Sequence, residues 1–332
     1  MMSCVNNYND SIGVVVIGRN EGARLKKCLE SIVKSAEIVV YVDSGSTDNS
    51  IEIAKNTGSN IVYLDVSKPF TAARARNEGY NRLRELNLDL SFVQFVDGDC
   101  EIAEDWFDQA VEHLTHNPDI AVICGRRRER YPDASTYNML CDIEWNTPVG
   151  EANACGGDAL IRPSVFEQVG GYNPDLIAGE EPEMCVRIRQ QGWKIWRLDA
   201  EMTLHDANIT HFGQWWKRNV RSGYAFALGY YMHGASSERH WKSEVKRARL
   251  WGAYIPIIIV LATMFNIIFL TGFVVYPLQI VRIANASRDT VNANWMYAFF
   301  VTLGKFPEIQ GQIRFNLNQL FKSRSKIIEY KQ

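Results

Sequence analysis

The stretch IGVVVIGRNEG, residues 12–22, decides the fold. Residues 12–17 form an apolar, β-branched run, the pattern of a strand buried in a parallel sheet. Gly18-Arg19-Asn20-Glu21-Gly22 is a polar loop. Residues 23–35 then place Leu25, Cys28, Leu29 and Ile32 on one helical face. The unit repeats. IVVYV (38–42) leads through Asp43-Ser44-Gly45-Ser46-Thr47-Asp48 to a helical segment, 50–57, stopped by Gly58. A third strand is predicted at 61–64, and a helix rich in Arg and Ala at 71–85. A fourth strand, 91–96, ends on Asp97-Gly98-Asp99.

This alternation predicts a three-layer α/β/α arrangement around a parallel sheet. Ligands of such sheets bind beyond the carboxyl ends of the strands. The loops after the first, second and fourth strands all fall at that edge. Asn20, Glu21, Asp43, Asp97 and Asp99 are therefore expected to converge there. Past Asp99 the pattern is less regular: a helix at 104–115, a strand at 120–124, and the basic run RRRER (126–130), expected on a solvated edge. A tight loop, Cys155-Gly156-Gly157-Asp158-Ala159, follows. Gly179-Glu180-Glu181-Pro182-Glu183 opens a helix at 184–191, ended by Gly192, and a strand is expected at 193–198. There is no internal repeat.

The 332 residues suffice for a full core, and the composition (46% hydrophobic, 22% charged) is that of a folded protein, which excludes general disorder. The net charge of −2 hides an asymmetry. From His211 onward there are sixteen Lys or Arg against five Asp or Glu; before it there are twenty against thirty-three. A basic tail on an acidic body implies an anionic partner, either nucleic acid or the cytoplasmic leaflet of a membrane. The seven cysteines are scattered, with no Cys-x-x-Cys pair, so neither a disulfide framework nor a zinc site is expected, and a reducing compartment fits. The polar opening MMSCVNNYNDS has no signal-peptide core; residues 1–10 are expected to be a flexible tail.

Residues 254–281, YIPIIIVLATMFNIIFLTGFVVYPLQIV, hold no charge and are long enough to cross a bilayer once. Basic residues flank both sides: Lys242, Lys246, Arg247 and Arg249 before, Arg282 and Arg288 after, then Lys322, Arg324 and Lys326. Since basic flanks prefer the cytoplasm, a re-entrant or interfacial hairpin broken near Asn266 or Gly272 competes with a single crossing. A buried helix of a soluble core is the third reading.

Asp97-Gly98-Asp99 offers hard carboxylate ligands of the kind Mg2+ and Mn2+ take, with substrate phosphates completing the shell. The run 97–102 lacks the glycine an EF-hand needs at its sixth place. No G-x-G-x-x-G follows the first strand and no G-x-x-x-x-G-K-[ST] occurs, which disfavours a hydride-transfer enzyme and a P-loop NTPase.

The ordered series VVVIGRNEGARLKKCLESI (14–32), YVDSGSTDNS (41–50), ARARNEGYN (73–81), FVDGDC (95–100) and GGYNPDLIAGEEPEMCVRIRQQGW (170–193) resembles the family 2 glycosyltransferases. These are inverting enzymes of the GT-A fold that use nucleotide-diphosphate sugars. The resemblance covers 11–223. The tail, with KFPEIQGQIRF (305–315), is similar to membrane-associated members that build bacterial exopolysaccharides or capsules. The implied organisation is a GT-A domain at 11–235 and a basic, helical, membrane-associated region at 236–332.

The resemblance implies roles residue by residue. Asp43 matches the aspartate that contacts the nucleotide base, usually uracil; the family's second acid is Ser44 here. Glu21 matches a base or ribose contact, and Asn20 joins it. Arg76 matches the arginine near the diphosphate. Asp99 matches the principal metal ligand, and Asp97 a metal or nucleotide-sugar contact. Glu181 matches the catalytic base, with Glu180 the neighbouring alternative. His205 is the expected third ligand, with His211 the second choice. Glu183, Gly157, Asp158, Trp215 and Trp216 are acceptor-side candidates, the tryptophans beside a stretch loosely similar to the Gln-x-x-Arg-Trp signature of processive members. A divalent cation, Mg2+ or Mn2+, is implied. So are a nucleotide-sugar donor, a glycan or polyprenyl-linked acceptor, and a place on the cytoplasmic face of the cell membrane. Homo-oligomers or polysaccharide assembly proteins are the expected protein partners, and nucleic acid is not. Two other classes stay open: an inactive membrane-bound scaffold of an assembly complex, and a nucleic-acid-binding protein resting on the basic tail alone.

Overall fold

A computed structural model describes residues 11–65, 67–86 and 89–322. The expected tail at 1–10, and Arg324 and Lys326, lie outside the described residues. The chain forms two compact units. The first takes in the described residues up to Tyr131 with Glu144–Leu176 and Glu180–Ala207. The second takes in Pro132–Ile143, Ile177–Gly179 and the described residues from Asn208 on. The compact units thus divide at Ala207/Asn208, whereas the sequence placed a domain end at 235.

In chain order the elements of the first unit begin β1 (Ile12–Gly18), α1 (Ala23–Ile32), β2 (Ile38–Asp43), α2 (Ser50–Asn56), β3 (Asn60–Tyr63), α3 (Ala72–Glu85) and β4 (Phe92–Asp97). They continue with β5 (Cys100–Ile102), α4 (Trp106–His116) and β6 (Ile120–Glu129). After α5 (Thr136–Trp145), whose last two residues belong to this unit, come β7 (Gly150–Glu151), β8 (Ala159–Ile161), α6 (Pro163–Gln168), α7 (Glu180–Gln190) and β9 (Lys194–His205). The sheet order is β3-β2-β1-β4-β8-β6-β9-β5, with β7 on β9. β1, β2, β3 and β4 are parallel, as expected. β8 enters antiparallel between β4 and β6, and β5 runs antiparallel to β9, so the far half is mixed. The cause is local. β8 is a three-residue return from the Cys155–Asp158 loop, too short for a crossover.

The core follows the apolar runs. Val14, Val15, Val16, Val40, Val42, Val93, Phe95 and Val96 are buried in the sheet, and Leu25, Cys28, Leu29 and Ile32 of α1 cover it. α3 starts where Thr71 accepts the backbone N–H of Arg74 at 3.1 Å, an N-cap that satisfies one orphan donor. It then lies so close to the sheet that a Cβ on Gly79 would stand 2.3 Å from Val15.

The solvated edge expected for RRRER is overturned. β6 runs on through Glu129, burying Arg126 and Glu129. Strand alternation turns Arg127 inward to Asp158 at 2.8 Å and Arg128 outward to Glu201 at 2.6 Å, while Arg130 pairs with Glu101. Charge enters the sheet because the guanidiniums of Arg127, Arg128 and Arg130 each have a carboxylate waiting, while that of Arg126 donates to the Arg127 carbonyl oxygen.

The second unit is helical: α8 (Phe212–His233), α9 (Lys242–Arg249), α10 (Ile255–Thr263), α11 (Val275–Ala286), α12 (Asn294–Leu303) and α13 (Lys305–Leu320). α8 packs on α13 through glycines: a Cβ on Gly223 would fall 2.0 Å from the Glu308 carbonyl oxygen, and one on Gly311 2.1 Å from that of Val220. The apolar segment 254–281 is not one straight helix. α10 stops at Thr263, and Asn266, extended at φ −156°, caps a 3-10 helix, Ile267–Val274, by accepting from the Ile268 N–H at 2.9 Å. That helix returns against α10, with Gly272 facing Ile259. Among the described residues, Ile267–Ala286 is the helix long and apolar enough to cross a membrane by length and composition. Only 6% of its most apolar window is buried, which is not the buried core helix of the third reading.

Candidate active site

The parallel register brings the predicted carboxylates together. Gly18 of β1 pairs with Asp43, and Ile17 with Asp97, so three strand ends stand in one row. Asn20, at φ 57°, ties two loops: its N–H donates to Ser46 Oγ at 2.9 Å and its Oδ1 accepts from the Thr47 N–H at 2.7 Å. Glu21 pairs with Arg24 at 2.8 Å, and its Cγ faces Gly98. Asp43 is buried. Its Oδ2 accepts the N–H groups of Gly45 and Ser46, both at 2.9 Å, and its Oδ1 the hydroxyl of Tyr41 at 3.1 Å. It shapes the loop first.

Arg76 of α3 is the electrostatic centre. Its Nη2 meets Asp97 Oδ1 at 2.7 Å and its Nη1 meets Glu180 Oε1 at 2.8 Å. Burial opposes the charge, but Asp97 and Glu180 beside it outweigh that and hold it protonated. Burial likewise raises Asp97, yet Arg76 and Arg127 prevail and hold its carboxyl below the usual range. The Gly157 backbone lies over this group: a Cβ there would stand 2.9 Å from Asp97 Oδ2, 3.0 Å from Arg76 Nη2 and 3.2 Å from Arg127 Nη2.

Asp99 is 6% exposed, and its Oδ2 lies 3.2 Å from His205 Nε2. The antiparallel pairing of Cys100 with His205 brings β9's last residue there. His205 Nδ1 is buried without a partner, and the ring stacks on Trp145 at 4.6 Å. The predicted Asp99/His205 pair is thus in place. His211 instead caps α8, in the second unit.

α7 opens with Glu180, Glu181 and Glu183, acids that suit a helix N-terminus. Glu180 faces Arg76. Glu181 turns the other way, and its Oε1 accepts the Cys155 N–H at 2.6 Å and the thiols of Cys155 at 3.0 Å and Cys185 at 2.9 Å. Burial raises its pKa against the pull of these donors.

Four acceptor candidates have their polar groups or rings engaged within the fold. Asp158 is fully buried and engaged on both oxygens: Oδ1 takes the Asp97 N–H at 3.0 Å, and Oδ2 takes Thr203 Oγ1 at 3.0 Å and Arg127. It holds the site's floor rather than an acceptor. Glu183 is spent on Arg187, at 2.7 Å one helical turn on. Trp215 is buried among Tyr137, Phe212 and Phe300 in the second unit, so its ring is core; Trp216 donates from Nε1 to Gln310 at 2.8 Å. Sequence reasoning missed Arg127, Trp145, Cys155 and Cys185. The alternation of RRRER inside a longer strand is the signal that finds Arg127; the partners of the other three are distant in sequence.

The arrangement offers a carboxylate–imidazole pair, two buried guanidiniums and an elevated carboxylate at one strand edge. Residues 13–169 match the family described as glycosyl transferase family 2. The chain is 23% identical over 219 residues to the O-antigen chain rhamnosyltransferase RfbN of Salmonella typhimurium, covering 60% of this chain and 67% of that one. It is 23% identical over 206 residues to the succinoglycan biosynthesis protein ExoA of Rhizobium meliloti, covering 56% and 60%. The matched stretch thus spans about two thirds of the first of these curated relatives and three fifths of the second. Among solved structures it is similar to a mannosyltransferase, PcManGT of Pyrobaculum calidifontis, in complex with GDP-Man and Mn2+. The TM-score is 0.63 at 14% identity, over 92% of this chain and 88% of that one. That likeness bears on the fold, which is GT-A. The family match stops at residue 169, before Glu180, Glu181 and His205. The ordered motifs that converge at one edge thus lie mostly within the stretch, residues 13–169, that matches glycosyl transferase family 2.

Proposed function

We propose that the chain is an inverting glycosyltransferase of cell-surface polysaccharide synthesis. It moves a sugar from a nucleotide-diphosphate sugar, a UDP-sugar by the Asp43 resemblance, to a hydroxyl of a lipid-linked or polysaccharide acceptor at the cytoplasmic face of the membrane. The observation that carries this reading is the meeting of Arg76, Asp97, Asp99, Glu180, Glu181 and His205, drawn from α3, β4, its following turn, α7 and β9, in one compact unit.

A divalent cation fits the donor set. Asp99 supplies a carboxylate and His205 an imidazole 3.2 Å from it, a mixture suited to Mn2+ or Mg2+, and the orphaned Nδ1 of His205 leaves the ring free to settle its tautomer on binding. Bound there, such an ion supplies positive charge to a diphosphate leaving group. Arg127 and Arg76 add fixed positive charge beside Asp97, and preorganised charge of this kind is the largest single contribution in many enzymes. Glu181, whose proton affinity burial raises, takes the proton of the attacking hydroxyl. One displacement inverts the anomeric carbon.

Purified protein incubated with UDP-, GDP- and dTDP-sugars, with Mn2+ or EDTA, tests the reading. Thermal stabilisation by one donor class with Mn2+, and none with EDTA, supports it. No donor stabilising the protein under either condition overturns it.

A further inference from the structure

The buried side chains around Glu181 have a chemistry that sugar transfer does not use. Cys155 Sγ and Cys185 Sγ lie 3.7 Å apart, both buried and neither in a disulfide. Glu181 Oε1 stands 3.0 Å from one sulfur and 2.9 Å from the other. The three ligand atoms, two soft and one hard, lie within 4.8 Å of one another. Tetrahedral zinc with Zn–S near 2.3 Å separates two thiolate sulfurs by about 3.8 Å. The sulfurs already hold that spacing.

We propose that Cys155, Cys185 and Glu181 form a site for a thiophilic divalent cation of the zinc or cadmium class, and that the bound ion withholds the Glu181 carboxylate from the acceptor hydroxyl. The inhibitory half rests on the base reading above; the binding half does not. Three protein ligands leave a fourth position for water. The exchange needs no oxidant: the cation bonds to two sulfurs and one carboxylate oxygen, and the two thiol protons leave to solvent. Cys155 belongs to a loop whose neighbours Asn153, Ala154 and Gly156 are exposed, and Gly156, at φ 79°, keeps the turn clear of a side chain. The loop is the way in. The site is distinct from the Asp99/His205 pair, where Cys100 is the nearby thiol.

Cadmium titration of the full chain in a non-thiol reductant tests this, read by the ultraviolet charge transfer of cadmium–thiolate bonds. One equivalent should develop the band in the parent and not in C155S/C185S, whose fold is checked by circular dichroism. X-ray absorption of the zinc form should show two sulfur neighbours. No band at one equivalent in the parent overturns the site, as does a band that persists in C155S/C185S, which would place the metal on another of the chain's thiols. Zinc should lower sugar transfer at least tenfold in the parent at saturating Mn2+; full activity with the sulfur site filled overturns the inhibitory half. If Glu181→Gln itself keeps sugar transfer while cadmium still binds, the base reading fails and the metal site stands.

Discussion

Glu181 holds its proton more tightly in the fold than in the unfolded chain, because burial outweighs three donors. That proton favours folding at low pH, and its contribution is lost as pH rises through the raised value. Glu181→Gln carries no such loss. The melting temperature of the variant minus that of the parent should therefore rise steadily from about pH 4 upward; a difference that stays constant or falls over that range would contradict the buried, elevated carboxylate. Sugar transfer by the same variant should fall by about 10²- to 10⁴-fold, measured at saturating donor. Arg76 makes the opposite case. Its removal in Arg76→Ala strands Asp97 and Glu180 against each other, one of them largely buried, and should cost about 3 kcal/mol in urea unfolding. Asp97 and Asp99 were expected at the ligand edge because they follow a buried apolar strand, whereas Arg76, in the second turn of α3, and His205, at the end of the part of β9 that the sequence did not show, were named through the family resemblance. The alternation of RRRER signals Arg127 but not its partner Asp158, and the Cys155/Cys185 pair was not legible, because its two members stand thirty residues apart and no local period joins them.

At the scale of elements, β1 through β4 were legible to within a residue or two, because buried parallel strands are unbroken apolar runs bounded by polar loops. β8 and β5 were not: three residues are too few to show a period. β9 was seen only in its first half, since Arg197, Asp199 and Glu201 interrupt its apolar pattern although the ladder continues to His205. α8 and α13 show a further kind of information hidden in sequence. A glycine inside a helix costs about 1 kcal/mol against alanine, so Gly223 and Gly311 look unfavourable until the facing backbones are seen. Replacing Gly223 with valine puts a side chain where the Glu308 carbonyl stands and should destabilise the protein by about 3 kcal/mol, checked by thermal denaturation. A variant as stable as the parent would mean the two helices do not approach this closely.

For the whole molecule, the charge asymmetry and the apolar segment ask the same question of the second unit. The chain between Thr263 and Ile267 turns back on itself and leaves Met264 80% and Phe265 90% exposed, with Ile267 at 74%. Apolar exposure this concentrated is costly in water, and burying one such side chain in an acyl layer regains about 1.5 to 3 kcal/mol. Basic residues on both flanks add roughly 1 kcal/mol each near an anionic surface. We propose that this hairpin dips into the cytoplasmic leaflet without crossing it, which sets the two contributions apart experimentally. M264D/F265D removes the apolar anchor and leaves the basic flanks intact. Its flotation with vesicles of phosphatidylcholine and an anionic lipid should fall at least tenfold from the parent, a loss of about 1.4 kcal/mol or more. The residual binding should be abolished by salt, because only screened charge remains. Parent binding should persist in the same salt. If the substituted chain floats as well as the parent at high salt, the hairpin tip is not in the lipid and the membrane must be met through another face.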